Sequence, residues 1–176
     1  VLLQLDFPVR SVFAEQARMN RTLSLLLATA FGSIPINAQE SPPRESVRAV
    51  RIAAAQPKRR FIDWRIRDAA EVLKQVDKSI EELNSLIDRA AAEKCDVIAF
   101  PEDTLGLGHW EAGNGERVRE VLPDAVRRML ERFAKAAATH KMYVVCCNDT
   151  IGEAGRVRNT AFLLGRDGNQ IGRYDK

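Results

Sequence analysis

Apolar residues Ile66, Ala69, Leu73, Val76, Ile80, Leu83, Ile87 and Ala90 recur at alternating steps of three and four, with Glu, Lys, Asp and Arg between them. No other feature constrains the fold as strongly. The spacing predicts one apolar stripe along a long amphipathic helix. The same steps match a coiled-coil seam. The residues that follow favour the packed helix, because the chain turns at once into Val97-Ile98-Ala99-Phe100, a short apolar run that reads as a buried strand. A helix that leads straight into a dry strand is a helix laid on a sheet.

The remaining elements extend that layer. Residues 47–56 (VRAVRIAAAQ) form a candidate strand ending before Pro57. Gly106, Gly108, Gly113 and Gly115 mark a loop, and Pro123 suits the first turn of a second helix carrying Val126, Met129, Leu130, Phe133 and Ala137. MYVVCCN (142–148) is another buried strand, and NTAFLLG (159–165) follows it. Asp167-Gly168-Asn169 is a turn signal, from which QIGRYDK returns as a hairpin arm. The order is strand, helix, strand, helix, then three strands: an α/β protein with helices covering a mixed sheet.

Composition excludes little except extremes. With 176 residues and a net charge of +3, the chain is long enough for one domain with a substantial core, and its Lys and Arg alternate with Glu and Asp. No basic face emerges, which argues against a nucleic-acid partner. Residues 19–38 (MNRTLSLLLATAFGSIPINA) read as a secretory signal peptide cleaved near Ala38: a basic start, an apolar run, a break and a small residue. The run is shorter than the roughly 20 residues of a permanent span, so no stable membrane anchor is expected. Export to the periplasm or medium is the expectation. Residues 1–18 then read as an over-extended gene start, with a real extension as the alternative, and 39–46 as a linker to a domain over 47–176.

The three cysteines, Cys95, Cys146 and Cys147, fit no zinc spacing and read as small buried hydrophobes. Glu102 is different. It ends the dry run CDVIAFPE, where Pro101 removes a ladder donor and helps stop the strand. In open α/β sheets ligands sit beyond the carboxyl ends of strands. A carboxylate placed there can serve as a general base, although a lone Glu after a strand is more often a cap or a surface charge. Lys176, at the end of the strand bearing Tyr174, can reach such a rim as an oxyanion-stabilising charge, or be a solvated lysine.

Taken together, the strand ending Ala55-Gln56, the long helix, DVIAFPE, MYVVCCN, NTAFLLGRDGNQIG and YDK resemble, in that order, the carbon-nitrogen hydrolase family, also called the nitrilase superfamily. The resemblance runs from about Val47 to the last residue. It implies half of a four-layer α-β-β-α sandwich, and a Glu-Lys-Cys triad that hydrolyses non-peptide carbon-nitrogen bonds of a small amide or nitrile. Glu102 would be the base and Lys176 the catalytic lysine. Asn159 and Tyr174 would support the hairpin and site. No metal or organic cofactor is implied, and the family's habit of pairing allows a homodimer of the full-length protein.

One part of the pattern is missing. The family's nucleophilic cysteine lies downstream of the lysine, so the chain is expected to be the N-terminal part of a truncated domain, inactive by itself. A weaker alternative uses Cys146 or Cys147 as the nucleophile. A reading from another class is an exported, non-catalytic binding domain on the same half-fold, docking through the helix of residues 66–90. Residues 103–116 are where a substrate-facing loop would lie. There His109 and Trp110 are candidate pocket residues; the plainer reading makes them a surface histidine and a packing anchor.

Overall fold

A computed structural model describes residues 2–8, 49–58 and 61–176. The expected signal peptide and linker lie outside the described residues. By its contacts the chain divides into a unit of Val1–Asp6 with Arg51–Lys176 and a second unit, Phe7–Val50, nearly all of it outside the described residues.

The first unit is built on a mixed sheet in the order β1 (Leu2–Pro8), β2 (Ala49–Ala55), β3 (Val97–Ala99), β4 (Tyr143–Ile151), β5 (Val157–Leu164) and β6 (Gln170–Asp175). Strands β2, β3 and β4 are mutually parallel, and β5 and β6 are added antiparallel. The strand at Leu2–Pro8 falls within residues read as an over-extended gene start. Its alternation of Leu3, Leu5 and Phe7 with Gln4 and Asp6 is a strand pattern that the sequence reading passed over.

Parallel neighbours need crossovers, and here both are helical. Helix α1 (Ala69–Ala92) links β2 to β3, and α3 (Val118–His140) links β3 to β4, with a short α2 (Gly108–Gly113) before it. Right-handed crossovers stepping in one direction place their helices on one face. Accordingly α1 packs against α3, and α3 against β4 and β5. Of the expected stripe, Val76, Ile80, Leu83, Ile87 and Ala90 are buried, whereas Ala69 and Leu73 are only partly buried, Val72 is buried beside them, and Ile66 precedes the helix. The buried part of that face is core.

Three local differences have physical reasons. The strand before Glu102 is only three residues long in regular pairing. Phe100 N–H still donates to Val145 O (2.9 Å), but Pro101 has no N–H to continue the ladder. Helix α3 begins at Val118, so Pro123 lies inside it rather than in its first turn. Ring and missing donor fall near the N-terminal end, where Pro123 is exposed and removes one helical hydrogen bond. Strand β4 runs on to Ile151, because Asp149 and Thr150 pair with Asn159 and Arg158 of β5.

Strand β4 shows how the sheet divides its two faces. Val144, Cys146, Asn148 and Thr150 are buried, while Tyr143, Val145, Cys147, Asp149 and Ile151 between them are only partly covered. The buried set faces the helices, where the Phe100 and Phe133 rings stack with centroids 5.2 Å apart. Among the described residues no helix is long and apolar enough to cross a membrane.

Candidate active site

The segment after β3 stays tied to β4 although it is no longer a strand. Thr104 N–H donates to Cys147 O (2.9 Å), Cys147 N–H donates to Thr104 Oγ1 (3.0 Å), and Thr104 Oγ1–H donates to Pro101 O (2.9 Å). Leu105 N–H donates to the buried Asn148 Oδ1 at 3.1 Å. These bonds hold the loop so that Glu102 stands exposed beside it. Asp103 completes the loop. It takes a left-handed backbone, φ 53°, and its Oδ1 accepts from Leu107 N (2.7 Å) and Gly108 N (3.1 Å). Asp and Asn tolerate this region better than most residues.

Lys176 is fastened from the other side, its backbone N–H donating to Asn159 O at 2.9 Å. The partly buried Cys147 thiol feels the charge of both candidate residues, the Glu102 carboxylate and the Lys176 ammonium. Its Sγ–H donates to Asn159 Oδ1 (3.2 Å), and Asn159 Nδ2 donates to Asp149 Oδ1 (3.0 Å). Asn159 thus links Cys147, Asp149 and Lys176. Burial, then Glu102 and Asp149, raises the Cys147 pKa against the opposing pull of Lys176. The fully buried Cys146 is pushed up to about 12 by burial. Both are poor nucleophiles at neutral pH, since the thiolate is the reactive form.

Glu102 lines two depressions. One, of about 400 Å³, also has Asp103, Gly108, Asp149, Val157 and Asn159 in its wall. The other, of about 440 Å³, runs past Pro101, Thr104 and Gly106 to Leu83, Pro57, Lys58 and Phe61. Close to Asp149 and Asp103 of the first is Glu111 of α2, a residue that the sequence reading missed. Burial first, and then the charge and hydrogen bond of Asp149, push its carboxyl up to about 8. Its protonated form therefore prevails at neutral pH, which lets two carboxyl groups share a hydrogen bond.

The other expected residues are placed as follows. His109 is exposed and meets the Phe61 ring edge-on, centroids 5.5 Å apart. Trp110 is fully buried and its indole Nε1–H donates to Ile66 O (2.8 Å), so it stands in the core as a packing anchor rather than in a pocket wall. Tyr174 is 70% exposed on β6, opposite Ala161. Phe61 carried no signal in sequence, since the short segment it shares with Ile62, Trp64 and Ile66 follows no helix or strand period.

A helix-covered mixed sheet, with a carboxylate beyond one strand end and a lysine at the last strand, defines an α/β protein with a rim site. The family model for carbon-nitrogen hydrolase matches residues 51–176, and the chain belongs to that family. No curated protein matches the chain. The fold is shared with solved structures. An amidase from Nesterenkonia sp. AN1, in a variant that shows acrylamide added at its active-site cysteine, is 17% identical with a TM-score of 0.55, over 72% of this chain and 44% of that one. A carbon-nitrogen hydrolase from Helicobacter pylori G27 is 18% identical with a TM-score of 0.51, over 57% of this chain and 35% of that one. The chain thus spans less than half the length of the solved relatives it matches.

Proposed function

We propose that the protein containing this chain hydrolyses a non-peptide carbon-nitrogen bond of a small amide or nitrile, with Glu102 as general base and Lys176 as the charge that stabilises the developing anion. The observation that supports the reading is that the loop bearing Glu102 and the strand end bearing Lys176, 74 positions apart, are fastened to bonded neighbours: Thr104 N–H donates to Cys147 O, Lys176 N–H donates to Asn159 O, and Cys147 Sγ–H donates to Asn159 Oδ1.

In this mechanism a cysteine thiol supplied by the part of the domain beyond Lys176 gives its proton to Glu102 as its sulfur attacks the amide or nitrile carbon. The negative charge that develops on the former carbonyl oxygen, or nitrile nitrogen, meets the Lys176 ammonium. For an amide, the leaving nitrogen takes the proton back as ammonia or an amine, leaving a thioester. Water, deprotonated by Glu102, then attacks the thioester carbon; the acid leaves and the thiol is restored. Cys147, a thiol raised in pKa and hydrogen-bonded to Asn159, is in this reading not the nucleophile. The chain by itself is then inactive.

The test is ammonia release from simple amides by the full reading frame. Glu102→Gln is expected to lower kcat by 100-fold or more, in line with general-base contributions, and Cys147→Ala to leave acylation detectable by mass spectrometry. Full activity in Glu102→Gln would overturn the assignment of the base, and loss of acylation in Cys147→Ala would move the nucleophile to Cys147.

A further inference from the structure

The cleft beside Glu102 ends on an aromatic rim that the hydrolytic chemistry does not use. Phe61 is 54% exposed and Trp64 45% exposed, unusual settings for the largest apolar side chains. Phe61 belongs both to the cleft that contains Glu102 and to a shallow depression of about 390 Å³ lined by Trp64, His109, Asp63 and Arg65. The two depressions therefore adjoin at the Phe61 ring.

The backbone beneath these rings is firmly held. Ile62 N–H donates to Gly106 O (3.2 Å), Asn114 Nδ2 donates to Trp64 O (2.8 Å), and Trp110 Nε1–H donates to Ile66 O (2.8 Å). Gly113 sits so close that a Cβ there would come within 2.8 Å of the Trp64 Cβ. A segment fastened at three points, with two rings facing outward, is preorganised for a flat partner. The one ion pair in the outer depression is internal to the segment, while Lys58, Glu102 and Asp103 line the cleft itself. Arg65 clamps Asp63 through Nε–H to Oδ1 (3.0 Å) and Nη2–H to Oδ2 (2.6 Å), which leaves no net charge from that pair for a ligand.

We propose that Phe61 and Trp64 form an aryl subsite beside the Glu102 cleft, so that the substrate is an amide or nitrile bearing an aromatic group, the ring seated against Phe61 and Trp64 and the carbon-nitrogen bond beside Glu102. The substrate class rests on the hydrolase reading above; the aryl subsite itself does not.

Two measurements separate them. The chain has two tryptophans, and Trp110 is fully buried, so Trp64 is the indole open to a ligand. Titration of 3-phenylpropionamide against tryptophan fluorescence is expected to give a saturable change, with propionamide giving none at the same concentration. Phe61→Ala, an exposed substitution, is expected to weaken the aryl amide 10-fold or more, and Phe61→Leu, which keeps apolar bulk, less. Equal responses to both amides, or unchanged aryl binding in Phe61→Ala, would overturn the subsite. With the full reading frame, the ratio of kcat/KM for the aryl amide over propionamide is expected to fall at least 10-fold in Phe61→Ala; an unmoved ratio would also overturn it. Aryl binding without hydrolysis of any amide or nitrile would overturn the hydrolase reading and leave the subsite standing.

Discussion

Glu111 carries a proton that its surroundings impose. Its ordinary pKa of 4.5 is raised to about 8 by burial and by Asp149 and Asp103. Below 4.5 the folded and unfolded chains both hold this proton; between 4.5 and 8 only the folded chain does. Stability supplied by the protonated carboxyl is therefore fully present at low pH and is lost as pH rises through the folded value of about 8. Glu111→Gln, which keeps the shape and cannot ionise, is expected to remove that loss. Urea midpoints at pH 5, 7 and 9 should diverge progressively in favour of the variant. Parallel curves for the two proteins would reject a protonated Glu111.

The next scale is the loop and hairpin that carry the site. Asn114 is fully buried and joins the end of α2 to the segment of Trp64 and Arg67: its Nδ2 donates to Trp64 O (2.8 Å) and Trp110 O (2.9 Å), and its Oδ1 accepts from Arg67 Nη1 (2.6 Å). Asn114→Ala removes the donor to both carbonyls and leaves the buried bond to Trp110 O unmade, a cost of about 1–3 kcal/mol. Chemical denaturation should show that loss, and Trp64 fluorescence should become more quenchable as its loop loosens. The hairpin that ends on Lys176 turns at Gly168, whose φ is +83° and where a Cβ would stand 2.7 Å from Ala134 O of α3. Gly168→Ala meets both strain and backbone contact, and is expected to destabilise by more than the ~1 kcal/mol typical of an incompatible Gly site. A neutral result would mean that the hairpin turns independently of α3.

Across the whole molecule, the core couples helices to sheet through a few large side chains. Phe133 and Met129 of α3 are fully buried, and Phe133 stacks on Phe100, two residues before Glu102. Phe133→Ala should cost about 3–5 kcal/mol, the usual range for emptying an aromatic core position. In addition, it should broaden backbone amide signals around Phe100 and Thr104, because the cavity opens under the loop that holds Glu102. On the other sheet face Val145, Cys147 and Leu163 are only partly covered.

What the residue order determined by itself is whatever local physics can decide. The three-and-four periodicity specified α1, Pro101 specified where β3 stops, and Asp167-Gly168-Asn169 specified the hairpin, since each depends on neighbours within a few positions. The motif order also pointed to the family and to Glu102 and Lys176. The tertiary structure alone decided which strand face Cys147 presents, that Glu111 would lie against Asp149, that Trp110 would anchor the core, and that Phe61 would share a cleft with Glu102. Those pairings bridge tens of residues. They are set by how the helices, loops and strands pack together, which no local pattern along the chain encodes.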